Sequence, residues 1–175
     1  MKQSTPGRAL MLFFAVFLLL MVILPLLYPS GSFTGLDGRS GVVENWEKLR
    51  FADPLTRAIY AMGDLFCHQE EWRSFMINGS QMAFCQRDVA ILAGVVLGLF
   101  VTDRTADRFY AGDKLFFILG VLMLAPTGIE WLIEHTFEVN LLAARVATGV
   151  LAGIGIALIM QYAIAKDYEL LVKLK

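Results

Sequence analysis

The chain has 175 residues, of which 57% are hydrophobic and 18% are charged. Water-soluble domains are about 45–50% apolar and about 25% charged, so this composition excludes an ordinary soluble enzyme and indicates a membrane protein. The 15 basic and 16 acidic side chains nearly cancel, which leaves no basic excess for binding nucleic acid. Two cysteines are too few for a disulfide-rich secreted scaffold.

Four apolar stretches are candidates for crossing a bilayer, which requires about 20 residues of helix. We predict membrane-spanning helices over residues 9–27, 82–101, 115–133 and 141–165. The uncharged part of the second, Val89–Val101, is too short by itself, so that helix must begin near Met82. Its first turns then contain Arg87 and Asp88. The expected fold class is an all-α integral membrane protein with four transmembrane helices, a single membrane domain over residues 1–175.

The flanks of the predicted spans indicate their orientation, because Lys and Arg favour the cytoplasmic side. Basic residues lie before the first span, between the second and third, and after the fourth: Lys2, Arg8, Arg104, Arg108, Lys114, Lys166, Lys173 and Lys175. The hairpin Glu134–Asn140 has no Lys or Arg. We interpret Glu134 and His135 as ordinary polar hairpin residues, with additional or alternative ligands of a metal on the outer side as the less favoured reading. We therefore expect a multi-pass protein of the cell membrane, surrounded by the lipid bilayer, with both termini cytoplasmic.

Residues 28–81 form a long outer loop in this topology. A Gly/Ser-rich connector is followed by Asp53-Pro54, a typical helix N-cap with proline at the first helical position. Apolar residues then recur at helical spacing, at Leu55, Ile59, Met62 and Phe66. The pattern predicts an amphipathic or re-entrant helix that leads into Cys67.

Charged residues enter the predicted spans near their outer ends. Glu130 and Arg145 lie equally far from the middle of the hairpin that joins spans three and four, so they should face each other. A single charge in a membrane helix costs about 2.5–3.5 kcal/mol on insertion scales, which favours pairing. Arg87 and Asp88 lie at a comparable depth. We predict an ion-pair cluster of these four residues, either an interhelical clamp or a polar site for substrate or protons.

Small residues recur four apart in two of the predicted spans. Gly94 and Gly98 lie in the second span, and Gly149 and Gly153 lie in the fourth. Because glycines at this spacing let helix backbones approach closely in lipid, we predict that these two spans pack together.

The residues that can carry chemistry are concentrated where the chain enters the second span. Cys85 and Asp88 are three apart and share a helix face, while Cys67 and His68 arrive from the outer loop. Two thiolates, an imidazole and a carboxylate suit zinc or another divalent ion. A disulfide between the two cysteines and a redox-active pair are alternatives that the residues leave open.

This pattern resembles a known family, the small bacterial and archaeal membrane proteins grouped as domain of unknown function 2085. The matching residues are Cys67-His68-Gln69, Arg73-Ser74, Gly79, Cys85, Arg87, Gly94 and Gly98, then Pro126 through Glu130, Arg145 and Gly149. In that family a cysteine often stands at the position of Asp88, and an aspartate at that of Glu130. The resemblance implies no activity. It does imply that the Cys-His-Cys-(Cys or Asp) set looks more like metal ligands than like a simple disulfide.

The leading hypothesis is a membrane component or accessory subunit, not a catalyst, with a structural site for zinc or another divalent metal on its outer face. The metal ligands would be Cys67, His68, Cys85 and Asp88. A quinone-linked thiol-disulfide oxidoreductase using the two cysteines is one alternative, although the sequence has no second cysteine couple. A small transporter or channel using the charge cluster is another. Any partners would be other membrane proteins of a larger complex.

Overall fold

A computed structural model describes residues 5–38, 41–105, 113–139 and 141–173. The elements in chain order are α1 (Thr5–Ile23) with a 3-10 turn (Leu24–Leu27), α2 (Pro54–Phe66), a second 3-10 turn (Glu71–Arg73), β1 (Ser74–Ile77), β2 (Ser80–Cys85), α3 (Gln86–Thr105), α4 (Lys114–Phe137) and α5 (Leu142–Lys173). These residues are therefore mostly helical, with a small two-stranded sheet. They divide into a hairpin unit, Phe17–Val89, and a helical unit, Met1–Val16 with Ala90–Lys175.

Three stretches of the described chain are long and apolar enough to cross a membrane. They are Pro6–Leu27, Lys114–Phe137 and Leu142–Asp167. They correspond to the predicted spans 9–27, 115–133 and 141–165. The predicted span over 82–101 has no counterpart among these three, although α3 covers most of it.

The β1–β2 hairpin changes the start of that helix. It turns at Asn78-Gly79, whose φ angles are positive at 51° and 67°. Asn-Gly is the preferred sequence of such two-residue hairpin turns. The strands pair antiparallel, with Cys85 opposite Ser74. Because strand pairing takes up the residues from Met82 onward that were expected in the helix, α3 begins only at Gln86.

Helix α2 begins at Pro54, as the sequence predicts. The Asp53 carboxylate caps it by accepting hydrogen bonds from the backbone N–H groups of Leu55 (2.9 Å) and Thr56 (3.2 Å). Its buried residues are Thr56, Ile59, Tyr60, Gly63 and Asp64. The predicted apolar face is therefore divided, because Ile59 is buried whereas Leu55, Met62 and Phe66 are exposed.

The hairpin unit has a compact core around Tyr60. The rings of Phe33 and Tyr60 stack with centroids 4.3 Å apart, and Leu49 and Met82 are also buried. Helix α2 touches strand β2 at Gly63, where a Cβ atom would lie 1.7 Å from the Ala83 carbonyl oxygen. This close approach requires glycine.

In the helical unit, α3 and α5 pack with their backbones in contact. A Cβ atom on Gly94 would lie 2.2 Å from the Val150 carbonyl oxygen, and one on Gly153 would lie 2.0 Å from that of Ile91. Gly98 also faces α5, where its Cβ would meet Ala157 at 2.6 Å. The predicted packing of these two helices is confirmed for Gly94, Gly98 and Gly153, whereas a contact through Gly149 stays a prediction.

Helix α4 packs on α5 through a second pair of glycines. A Cβ atom on Gly120 would lie 2.7 Å from the Gly155 carbonyl oxygen, and a Cβ atom on Gly155 would lie 2.5 Å from the Gly120 carbonyl oxygen. The Thr127 hydroxyl donates to the Thr148 carbonyl across the same helix pair at 2.7 Å. Helix α5 thus presents Gly153 to α3 and Gly155 to α4.

Candidate metal centre

Cys67, Cys85 and Asp88 come together in the hairpin unit. Their possible ligand atoms, two Sγ atoms and a carboxylate oxygen, all lie within 4.8 Å of one another. The Cys85 Sγ lies 3.0 Å from Asp88 Oδ2. Cys67 is buried, whereas Cys85 and Asp88 are half-buried, and both cysteines are free thiols. Three of the four predicted metal ligands are therefore neighbours in space.

These three side chains come from three different elements. Cys67 follows α2, and its backbone N–H donates to the Gly63 carbonyl at 2.8 Å. Cys85 is the last residue of β2, and Asp88 lies in the first turn of α3. A carboxylate in this first turn is stabilised by the positive end of the helix dipole. The group thus lies where α2, β2 and α3 meet.

His68 is placed apart from this group. Its side chain is exposed, and its Nδ1 lies 3.1 Å from the Gly38 carbonyl oxygen. The three-residue group that the structure brings together does not include it. A role for His68 as a ligand stays a prediction.

Gln69 holds the loop that carries Cys67. Its backbone is left-handed, with φ of 49°, and its side chain is fully buried. The Nε2 group donates to the carbonyls of Tyr60 (3.0 Å) and Ala83 (2.8 Å), while Oε1 accepts from the Asn45 side chain (3.2 Å). One buried amide therefore connects α2, β2 and the outer loop next to the cysteine.

Two further buried groups extend this hydrogen-bond network. Asp64 accepts from the backbone N–H of Asn45 (2.7 Å) and from its side-chain amide (3.0 Å). Gln81 accepts from the Leu36 N–H at 2.8 Å and donates to the Gln69 carbonyl at 2.8 Å. No role was predicted for these polar residues from the sequence. The one signal in the sequence was Gln69, which belongs to the Cys67-His68-Gln69 part of the family pattern.

The thiols interact with each other. A hydrogen bond from the Cys85 side chain lowers the pKa of the Cys67 thiol, although burial and the nearby Asp88 carboxylate act in the opposite direction. Removing a second proton would place two thiolates beside a carboxylate, which is unfavourable without a neighbouring positive charge. A divalent cation supplies that charge, and thiolate is the form of cysteine that binds metals.

The helical unit contains a buried ion pair. Arg145 Nη2 lies 2.6 Å from Glu134 Oε1, and the two side chains are 1% and 3% exposed. Glu130 lies one turn earlier on α4 and is also buried. The interpretation of Glu134 as an ordinary hairpin residue is wrong, because α4 continues to Phe137 and Glu134 is a helical residue facing α5. His135 is exposed and stacks on Trp131.

Arg87 and Asp88, the other two members of the predicted charge cluster, belong to the hairpin unit. Arg87 is half-buried in the first turn of α3. The cluster of four stays a prediction, to which the structure adds Glu134 as the partner of Arg145.

Comparison with known proteins is consistent with the pattern around the cysteines. The profile of a family described as predicted membrane protein (DUF2085) matches residues 67–159, more than half of the chain. An uncharacterized protein of Methanocaldococcus jannaschii is 35% identical over 97 residues, which cover 54% of this chain and 61% of that relative. No protein of solved structure matches. This chain therefore belongs to the DUF2085 family of predicted membrane proteins.

Proposed function

We propose that this protein is a membrane component that holds zinc or a similar divalent metal at Cys67, Cys85 and Asp88. The observation that carries the proposal is the convergence of three ligand atoms within 4.8 Å of one another. Zn–S bonds are about 2.3 Å and Zn–O bonds about 2.0–2.2 Å long, so ligands around one tetrahedral ion lie roughly 4 Å apart or less. Small side-chain movements are enough to close the three groups around an ion.

The donor set favours zinc over the common hard cations. Thiolates are soft ligands that select zinc, whereas magnesium and calcium prefer oxygen ligands. His68 or a water molecule would complete the four-coordinate shell, and His68 would have to leave the Gly38 carbonyl to do so. We assign the ion a structural role, because its ligands join the ends of α2, β2 and the start of α3.

Elemental analysis and thiol titration of the purified full chain test this assignment. We expect one zinc ion per chain and two thiols that react only after the metal is chelated or the protein is unfolded. Asp88→Asn and Cys85→Ser should each lose the metal. The exposed variant Glu71→Gln, in the 3-10 turn of the same unit, serves as the control and should keep it.

The variant His68→Ala distinguishes a metal site whose fourth ligand is His68 from one whose fourth ligand is water. Loss of zinc in this variant would identify His68 as the fourth ligand, and full retention would identify a three-residue site completed by water. Wild-type protein without metal and without titratable thiols would overturn the proposal in favour of a disulfide.

A quinone-linked thiol-disulfide oxidoreductase is the second candidate, favoured by two free thiols whose Sγ atoms lie within 4.8 Å of each other. Oxidation would join the two Sγ atoms and pass two electrons and two protons to a quinone, which becomes quinol. Addition of a soluble quinone to the reduced protein should then remove both titratable thiols and produce an equivalent amount of quinol. Thiols that persist with excess quinone would contradict this function.

We propose that α3 is a fourth membrane span, with both chain termini in the cytoplasm. Its support is the close packing of α3 on α5, a helix apolar enough to span the membrane. In addition, Arg8 near the start of α1 lies 3.3 Å from Asp103 near the end of α3, as two ends on one side of the membrane require. Among the Lys and Arg residues that flank the predicted spans and indicate this orientation, Lys2, Arg108 and Lys175 lie outside the described residues.

Reporter fusions test this topology. Fusions after Thr105 and after Lys175 should be active with a cytoplasmic reporter, whereas fusions after Asn78 and after Glu138 should be active with a periplasmic or exported reporter. Identical behaviour of the fusions after Asn78 and Thr105 would show that α3 does not cross the membrane.

A further inference from the structure

Helix α2 exposes an entirely apolar face. Its exposed residues are Pro54, Leu55, Ala58, Met62, Leu65 and Phe66. The exposure of the largest is considerable, 66% for Phe66 and 51% for Leu55. The whole helix is described, and none of its exposed side chains carries a charge.

The polar side chains of α2 face inward instead. Asp64 is fully buried and bonds to Asn45. Arg57 is half-buried, because its Nη2 donates to the carbonyls of Arg50 and Ala52. A helix at the surface of a soluble protein has the opposite arrangement, with apolar residues inside and charged residues outside. The outer face of α2 is therefore suited to apolar surroundings.

Two hydrogen bonds fix the start of α2 at the end of the first apolar span. That span ends at Leu27, and the next residue is Tyr28. The Tyr28 hydroxyl donates to Asp53 Oδ2 at 2.5 Å and accepts from the Asp53 backbone N–H at 3.0 Å. Since Asp53 is the N-cap of α2, the helix starts at the level where the span ends.

Exposed apolar side chains continue from the span to the helix. Leu26 and Leu27 at the end of the span are 53% and 68% exposed. Phe51, which is 56% exposed, lies with its ring centroid 5.9 Å from that of Tyr28. The apolar surface of the span is thus joined to the first turn of α2 through Phe51.

We infer that α2 is an interfacial helix whose outer face, formed by Leu55, Met62 and Phe66, lies against the acyl chains of the bilayer. Helices of this kind bury their apolar face about 5–10 Å into the boundary between headgroups and acyl chains. A lipid surface is favoured over a protein partner because the face adjoins a membrane-spanning segment and has no charged side chain to specify a partner. The inference does not depend on a metal. It places Cys67, the residue after α2, at the membrane boundary.

Quenching of tryptophan fluorescence by brominated phosphatidylcholine tests this placement of α2. In the full chain, Phe replaces Trp46, Trp72 and Trp131, and Met62→Trp then supplies the single reporter. At a low protein-to-lipid ratio, with bromines near the start of the acyl chain, we expect blue-shifted emission and at least about twofold stronger quenching than for a water-exposed reporter. Glu47→Trp in the same background is the control, because its side chain is 72% exposed in the same unit.

Equal quenching of the two reporters would overturn the inference. A blue shift that appears only as the protein-to-lipid ratio rises would also overturn it, because a second copy of the chain would then cover the face. If Met62→Trp does not fold, Phe66→Trp provides the same test at a more exposed position.

Discussion

The hairpin unit and the helical unit are stabilised by different kinds of contact. In the hairpin unit, buried amides such as those of Gln69 and Gln81 bond to backbone groups of the outer loop and its neighbours. In the helical unit, glycines such as Gly94 and Gly153 bring helix backbones into direct contact. The difference follows from backbone geometry. Helices satisfy their own peptide groups, whereas the irregular segments of the hairpin unit need side chains to do so.

The two units also differ in the functional residues that they carry. The candidate metal ligands all lie in the hairpin unit, where loops are held by side-chain hydrogen bonds and residues such as Gln69 adopt unusual φ values. Loops positioned in this way commonly carry binding sites. The helical unit has the properties of a scaffold, with backbone contacts and a buried ion pair.

The largest effect is expected for Gly63→Ala, since Gly63 is a backbone contact inside the hairpin unit. The new Cβ would lie 1.7 Å from the Ala83 carbonyl oxygen and 2.7 Å from Gln69 Nε2. Helix α2 would have to leave β2, so we expect the hairpin unit not to fold and both thiols to react rapidly in metal-free protein. Gly128→Ala, where a Cβ meets nothing within 4 Å, is the matched control. Unchanged thiol reactivity of Gly63→Ala would contradict this account.

Arg145→Met tests the ion pair of the helical unit. It leaves Glu134 buried without this partner, and removing one member of a buried pair costs about 3–5 kcal/mol of unfolding free energy. Equilibrium unfolding in mixed detergent measures the loss. The double variant Arg145→Met with Glu134→Met should regain most of the stability, because both charges are then gone. A double variant as unstable as the single one would show that Arg145 acts through another partner.

Gly153→Ala tests the backbone contact between α3 and α5. Its Cβ would lie 2.0 Å from the Ile91 carbonyl oxygen, but the helices can separate slightly as whole bodies. We expect a loss of about 1–3 kcal/mol, the usual cost of overpacking. The same unfolding assay, again with Gly128→Ala as the control, measures it. Equal stability of the two variants would show that close packing here is dispensable.

Gln69→Met tests the hydrogen-bonded core of the hairpin unit. Methionine has a similar length but cannot donate to the buried carbonyls of Tyr60 and Ala83. An unsatisfied buried group costs about 1–3 kcal/mol, and we expect a loss in that range together with weaker metal retention. Glu71→Met, at an exposed position of the same unit, is the control. A Gln69→Met protein that keeps its stability and loses only metal would identify Gln69 as part of the metal site.

The parts of the fold set by local signals were predictable from the sequence. Asp53-Pro54 marks the start of α2 because a cap and a proline act within one helical turn. Long apolar runs predict the three candidate spans, and the spacing of Gly94 and Gly98 predicts the packing of α3 on α5. Cys67, Cys85 and Asp88 were found because few residue types bind metals.

The parts that depend on tertiary contacts were not predictable. Asn78-Gly79 marks a turn, but the strands beside it form only by pairing with each other. Gln69 and Gln81 look like surface residues until the fold shows which carbonyls they reach. Glu134 was assigned to the hairpin because a charge suggests the end of a span, whereas its burial depends on Arg145 on the next helix.

The smallest effect concerns Asp53, the exposed cap that joins α2 to Tyr28. The hydrogen bond from the Thr56 hydroxyl, followed by that from Tyr28, lowers the pKa of Asp53 from its ordinary 3.8 to about 2. Because the lowered pKa belongs to the folded state, the carboxylate stabilises the hairpin unit at pH values above 3.8. This contribution is lost as the pH falls from about 3.8 to about 2.

A carboxyl titration followed by carbon NMR measures the pKa of Asp53 directly, and unfolding between pH 5 and pH 2 measures its effect on stability. Asp53→Asn is the matched variant, because asparagine also caps helices but does not titrate. We expect its stability to change less with pH in this window than that of the wild-type protein. A folded-state titration of Asp53 centred at 3.8 would mean that the bonds from Thr56 and Tyr28 do not persist in solution. The start of α2 would then not be held at the end of the first span, and the interfacial placement of the helix would lose its anchor.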